Sequence, residues 1–186
     1  MSDPKAYRKK QVELIPRAIG VYALCDLDEV PIYVGHSEEG IQARVRRHLT
    51  SARSDVIANR QIDVWEIAYV WAWPVQDAET LVPLESHVFH EFNDQSTLMN
   101  GSVPPRVDSL DHLLPEKVTV RVMDDEEIET RLDPGRRLPR QAEHFGRLVD
   151  HILNVKDSDQ LRRSLVAHYQ RLSRYYETFL RIPESA

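Results

Sequence analysis

The chain has 186 residues, of which 41% are hydrophobic, 29% charged and 8% aromatic; this composition is typical of a globular protein and excludes disordered, collagen-like and coiled-coil chains. It has no run of ~20 apolar residues such as a bilayer span needs and no apolar signal stretch near its start, so we expect a cytoplasmic, intracellular protein without a membrane partner. Thirty acidic against 24 basic residues give a formal net charge of −6, so any contact with a polyanion must rest on a local basic surface.

The first half of the chain predicts a hairpin, a basic helix and a buried strand, in that order. The β-prone runs at residues 20–25 and 32–35 flank the turn-like segment DLDEVP, which favours two antiparallel strands. Apolar residues at helical spacing over 41–53, with arginines between them, predict an amphipathic helix that has a basic polar side. The almost continuous apolar run at 64–73 predicts a third strand that is buried on both faces.

The second half predicts more helix than strand. Helical spacing recurs over residues 77–92, with Pro83 in the first turn or bending the helix there. Beyond a loop, the alternating run at 117–123 predicts a strand, and 128–132 is expected to return as its hairpin partner after an acidic turn. Two further helices are predicted at about 140–155 and 159–180, and we expect them to pair antiparallel, with the arginines of the second solvated.

A loop signal near residue 103 divides the chain. We expect residues 1–103 to form one domain, with a basic N-terminal arm at 1–14, and residues 104–186 to form a C-terminal α/β extension. The extension would consist of the hairpin and the two helices, and it is either packed on the first domain or separate from it.

Polar side chains that an ordinary core does not require lie on the elements of the first half. Tyr22 and Tyr33 lie on the paired strands. Arg44 and His48 are four residues apart on the basic helix and therefore share a face. Glu85 lies in the apolar stretch LVPLESHVF, where a carboxylate is costly to bury unless it is paired or binds a cation. Each residue alone has a structural explanation, and the set as a whole points to a catalytic site.

Together these residues resemble the GIY-YIG nuclease family. The two tripeptides that name the family appear as GVY and YVG, and the other landmarks follow in the family's order over residues 15–103. His36 after the second tripeptide and Pro83 depart from the usual pattern, and Asn93 competes with Asn100 for the family's asparagine. The residues that carry the resemblance are Gly20, Val21, Tyr22, Tyr33, Val34, Gly35, Arg44, His48, Glu85 and Asn100.

The resemblance implies an α+β fold with a small antiparallel three-stranded sheet flanked by helices. It also implies phosphodiester hydrolysis, with Glu85 as the sole protein ligand of one Mg²⁺ or Mn²⁺ ion. Arg44 would bind the phosphate. By the same resemblance Tyr22 would orient or deprotonate the attacking water, with Tyr33 supporting it by hydrogen bonding. His48 would hydrogen-bond the tyrosine or the phosphate.

By the same resemblance Asn100 would hold the geometry of the site. The expected function is therefore that of a divalent-metal-dependent endonuclease acting on nucleic acid, with DNA as the leading substrate. A single-strand or RNA nuclease and a non-catalytic binding module of the same fold stay open as alternatives. The nucleic-acid surface is expected on the basic helix, at Arg46, Arg47 and Arg53, while the extension would add substrate contacts, a partner surface or self-association as a homodimer.

Overall fold

The computed structural model describes residues 3–50, 61–107 and 114–180. In these ranges the chain forms an antiparallel four-stranded sheet with helices, which confirms the α+β class. The strand order in the sheet is β2-β1-β3-β4. The strands are β1 (Gly20–Cys25), β2 (Pro31–Ser37), β3 (Tyr69–Pro74) and β4 (Val118–Arg121).

The α-helices lie before, between and after these strands. Two of them, α1 and α2, flank the first hairpin, and one follows β3. Three more follow β4 and end the described part of the chain. The helices are α1 (Pro4–Val12), α2 (Ile41–Thr50), α3 (Leu81–Asn93), α4 (Asp125–Leu132), α5 (Pro134–Asn154) and α6 (Asp159–Leu180).

The predicted hairpin is confirmed. β1 and β2 pair antiparallel, so that Tyr22 faces Gly35 and Leu24 faces Tyr33 across the ladder. The turn between the strands is organised by Asp26, whose Oδ1 accepts hydrogen bonds from two backbone N–H groups within the turn. An aspartate that bonds its own following backbone in this way favours a turn over a longer strand.

The predicted third strand is too long at its start. Residues Val64–Glu66 form a short 3₁₀ helix, and β3 begins only at Tyr69. Asp63 Oδ1 accepts a hydrogen bond from the Trp65 N–H, and such a local side-chain bond competes with extended backbone. An apolar run alone cannot distinguish these two conformations.

The predicted C-terminal hairpin is wrong. Residues 128–132 belong to α4, which begins because Asp124 accepts a hydrogen bond from the Glu127 N–H at its N-terminus. Acidic residues in a first helical turn also interact favourably with the helix dipole. β4 therefore pairs with β3 of the main sheet, which gives the sheet four strands where three were expected.

The two last predicted helices are confirmed, and α5 begins six residues earlier than expected, at Pro134. Leu148, Ile152 and Leu161 form a buried cluster between them. Arg171 of α6 is not solvated as expected, because it is buried and paired with Asp26. None of the helices in the described ranges has the length and apolarity needed to cross a membrane.

The sheet is covered on both faces. One core joins Tyr22 and Leu24 of β1 to apolar residues of α1 and α2, and the other joins Val21 and Ala23 to apolar residues of α3. Neighbouring residues of β1 point to opposite faces of the sheet. The sheet therefore lies between α2, which carries Arg44, and α3.

Candidate catalytic site

Tyr22 lies at the centre of a cluster of polar aromatic side chains. It is completely buried, and its hydroxyl oxygen is 2.8 Å from Nε2 of His48. The ring of Tyr33 is centred 6.3 Å from that of Tyr22 and 5.7 Å from that of His48. The pairing of β1 with β2 and the packing of α2 on the sheet thus bring together three side chains that the sequence analysis selected.

The glycine of the second tripeptide leaves room for this cluster. A Cβ atom added at Gly35 would lie 2.8 Å from the hydroxyl oxygen of Tyr22 and 3.0 Å from the ring of Tyr33. Gly20 has a different neighbour, since a Cβ added there would lie 2.3 Å from the backbone oxygen of Trp73. Both glycines are therefore required by close approaches, and the one at Gly35 serves the tyrosines directly.

Arg44 reaches the same cluster from α2. It is half-buried, it lies one turn before His48, and its side chain is hydrogen-bonded to the Tyr22 hydroxyl. The helical spacing that predicts a shared face for Arg44 and His48 thus leads both side chains to one tyrosine. The phenol is in contact with a cation and with an imidazole.

The surroundings of Tyr22 determine its protonation. Burial raises the pKa of the Tyr22 phenol well above its ordinary value, the nearby Tyr33 adds to the rise, and the charge and hydrogen bond of Arg44 oppose it. Glu85 is close enough for its charge to raise the pKa further. At neutral pH the phenol is therefore protonated.

Glu85 lies on α3 and is paired with His36 of β2. Its Oε2 accepts a hydrogen bond of 2.7 Å from Nδ1 of His36, and the two side chains are 22% and 31% exposed. Sequence analysis missed this pairing, although both residues stood out separately. Pro83 lies in the first turn of α3, where proline is tolerated, so it does not disturb the position of Glu85.

Asn100 binds the backbone of the second tripeptide. Its Nδ2 donates to the Val34 oxygen at 2.6 Å, and its Oδ1 accepts from the Val34 N–H at 3.0 Å. Asn93 instead accepts hydrogen bonds from the Leu98 N–H and from Arg163. Of the two asparagines, Asn100 is the one that holds β2 in place.

The exposed arginines of α2 point in two directions. Nη2 of Arg47 lies 3.6 Å from Oε2 of Glu39. Nη1 of Arg46 lies 3.8 Å from Oε1 of Glu13, the residue that directly follows α1. Exposed pairs of this kind contribute little energy, so a phosphate can compete for either arginine. Arg53 lies outside the described residues.

A metal ion at this site would have few protein ligands and would keep most of its water ligands. In the part of the chain that the structure describes, no group of three or more His, Cys, Asp or Glu side chains is arranged to hold a metal. Glu85 offers one partly exposed carboxylate whose hydrogen bond within the described residues is to His36. Mg²⁺ commonly binds through one or two carboxylates and keeps several waters, so Glu85 fits such an ion.

Comparisons of the chain with models of known protein families, with curated proteins and with solved structures find no match. The functional interpretation therefore rests on the residues and their geometry.

Proposed function

We propose that this chain is a divalent-metal-dependent endonuclease that hydrolyses phosphodiester bonds in DNA, with a site of the GIY-YIG type. The observation that carries the proposal is the environment of Tyr22, whose hydroxyl contacts His48 and Arg44 while Glu85 acts on it electrostatically. These residues come from three separate elements. Packing alone would be satisfied by apolar side chains at the same positions.

The protonated state of Tyr22 limits how it can act. A neutral phenol accepts a proton from water only while it passes its own proton to another base. Nε2 of His48, 2.8 Å from the hydroxyl oxygen, is the base in position, in the tautomer that carries its proton on Nδ1. Tyr22 and His48 would therefore move the proton of the attacking water together.

Arg44 has two roles in this mechanism. Its guanidinium stabilises negative charge that develops on the phenol oxygen, since its charge lowers the pKa of Tyr22. Its planar fork also matches the phosphate oxygens, whose charge rises in the transition state. Arg44 would thus couple the nucleophile to the phosphate.

Glu85 and Asn100 would support the chemistry from the other side. Glu85 would hold one Mg²⁺ or Mn²⁺ ion, which supplies a positive charge for the phosphate and the leaving oxygen. His36 orients the Glu85 carboxylate through its hydrogen bond. Asn100 fixes Val34 and so positions the neighbouring Tyr33.

Two observations favour a second candidate, a non-catalytic binding module of the same fold. Tyr22 is 0% exposed, so water reaches its hydroxyl only if neighbouring side chains move. The formal net charge of −6 also suits a protein partner better than a polyanion. The two candidates differ in one measurable property, which is cleavage.

The test is cleavage of duplex, single-stranded and branched DNA and of RNA, with Mg²⁺ and with EDTA. We expect Mg²⁺-dependent cleavage of DNA and complete loss in Glu85→Gln, since the variant lacks the charged ligand. His87→Gln is the matched control, because His87 lies on the same helix and is exposed. Cleavage by Glu85→Gln at the unmodified rate, or no cleavage of any substrate, would refute the proposal, and cleavage of RNA alone would assign a different substrate.

A further inference from the structure

A second basic surface lies on the side of α2 that faces away from Tyr22. Arg44 and Arg46 are two residues apart, which places their side chains about 200° apart around the helix. Arg46 accordingly lies towards α1, at the edge of a groove of about 430 Å³ between α1 and α2. Its lining includes the charged and aromatic side chains of Lys5, Arg8, Lys9, Glu13, Arg46 and Trp65.

The charge of this groove is opposite to that of the chain. Four cationic side chains and one carboxylate line it, which is a local net charge of +3 in a chain of formal net charge −6. Lys5 and Lys9 are exposed and four residues apart, so they share one face of α1. The carboxylate belongs to Glu13, which lies 3.8 Å from Arg46.

Arg8 adds a buried charge beneath the groove. It is 3% exposed, and its two terminal nitrogens donate to the backbone oxygens of Val64 and Ile67 at 3.1 Å. Among the described residues its Nε has no hydrogen-bond partner, and the charges of Glu127 and Asp63 act on it by raising its pKa. Burial lowers the pKa of Arg8 to about 10, so the guanidinium is still charged at neutral pH. A buried cation that keeps its charge adds to the attraction for an anion in the groove.

The aromatic side chain of the groove is already engaged. The guanidinium carbons of Arg8 and Arg131 lie 4.7 and 4.6 Å from the ring centre of Trp65. Trp65 is thereby less available to stack on a base. The groove therefore suits a phosphate group, which positions nucleic acid without reading its sequence.

We propose that the groove between α1 and α2 binds the phosphodiester backbone of the nucleic acid whose scissile phosphate lies at Arg44. This inference rests on the proposed nuclease function. A helix with its side chains is about 10–12 Å across, so a strand that passes over α2 meets Arg44 on one side and Lys5, Lys9 and Arg46 on the other. Beyond Pro4 the surface has mixed charge, since Asp124, Glu126 and Glu127 line one pocket together with Arg131, Arg136 and Arg140.

The test compares two substitutions on α1 in the full-length chain. Binding of a DNA duplex is measured at several salt concentrations, with Ca²⁺ in place of Mg²⁺ to suppress cleavage. Lys5→Ala combined with Lys9→Ala should make the slope of log K against log salt shallower by about 2, since each phosphate contact contributes about 0.9. Lys10→Ala is the matched control, because Lys10 is exposed on the same helix but does not line the groove.

Glu13→Gln provides a change in the opposite direction. It removes the one carboxylate of the groove and releases Arg46, so affinity for the duplex should rise. Thermal melting of each variant checks the fold. We expect unchanged melting temperatures, because the substituted side chains are exposed.

The outcomes separate this inference from the nuclease proposal. If the unmodified chain binds and cleaves DNA while the double lysine variant behaves as Lys10→Ala does, the groove is refuted and the nuclease function stands. If the unmodified chain binds DNA without cleaving it and the double variant shows the shallower slope, the groove still binds the nucleic-acid backbone and the hydrolytic function is refuted. Binding to vesicles of anionic lipid without binding to DNA would overturn both.

Discussion

Two groups of buried polar side chains lie on this sheet, and they use their charges differently. Around Asp26 and Arg171, which are 1% and 2% exposed, opposite charges meet directly, with Arg171 Nη1 2.8 Å from Asp26 Oδ2. Around Tyr22, the contacts join a neutral phenol to an imidazole and a cation, and Glu85 stays partly exposed. The first arrangement fastens α6 to the sheet, whereas the second leaves charge for a ligand.

The ionic group extends over both C-terminal helices. Arg137 and Arg140 of α5 are paired with Glu66, and Arg171 also donates to the Pro31 oxygen. Charges buried in this way are stabilised mainly by each other and by their hydrogen bonds. Loss of one partner should therefore strongly lower the free energy of unfolding, whereas loss of a residue around Tyr22 should mainly reduce activity.

The largest effect on stability is expected for Arg171→Ala. The substitution leaves the Asp26 carboxylate buried without its cation, which costs about 3–5 kcal/mol. Denaturant unfolding monitored by circular dichroism measures the loss. Arg174→Ala is the control, since Arg174 is exposed on the same helix, and equal stability of the two variants would refute the structural role.

The titration of His168, a buried histidine of the same region, should contribute to the pH dependence of stability. Burial lowers the pKa of His168 to about 4, the neighbouring His144 and Arg171 lower it too, and the hydrogen bond to Gln61 opposes the shift. Because the imidazole is neutral in the folded chain and has a pKa of 6.5 when unfolded, it stabilises above pH 6.5. As the pH falls from 6.5 to about 4, about 3 kcal/mol should be lost.

Asp26 and Glu66 act in the opposite direction, since burial raises the pKa of both carboxyl groups. Unfolding free energies between pH 7 and pH 4 therefore need a variant for comparison. In His168→Gln the unfolding free energy should fall less on acidification, because the contribution of the histidine is absent. An identical pH profile in the two proteins would refute the proposed contribution of His168.

A smaller effect, on rate, is expected for Arg44→Ala. Cleavage should slow by about 10²-fold or more, because the guanidinium stabilises charge that grows only in the transition state. Arg44→Lys should restore little of the rate, since an ammonium cannot form the bidentate contact. Arg17→Ala, at an exposed arginine, is the control for charge alone. Full rescue by lysine would contradict the bidentate contact and show that Arg44 contributes only a positive charge to substrate binding.

Local patterns were sufficient to predict the hairpin and most helices. Alternation and helical spacing depend on neighbouring residues, which is why residues 20–25, 32–35 and 159–180 were assigned correctly as strands and a helix. The errors at Asp63 and Asp124 have another cause. In each case one aspartate accepts a hydrogen bond from a backbone N–H two or three residues later and so favours a helical turn. The spacing of apolar residues carries no information about such a bond.

The polar pairs were harder to predict than the elements. Arg171 and Asp26 are 145 positions apart, so helical spacing alone favoured a solvated arginine. His36 and Glu85 are 49 positions apart, and the histidine was noticed only as a departure from a pattern. Long-range pairing depends on how α3 and α6 pack on the sheet, which a single sequence does not encode in any local signal.

Tyr22→Phe is the most direct test of the claim that the Tyr22 cluster is catalytic. The substitution removes one oxygen atom and keeps the ring in its packing position beside Gly35. Cleavage should fall by about 10²-fold or more, while the free energy of unfolding falls by about 1 kcal/mol for the lost hydrogen bond. Cleavage at the unmodified rate, together with a large loss of stability, would contradict the catalytic role and make Tyr22 a structural residue.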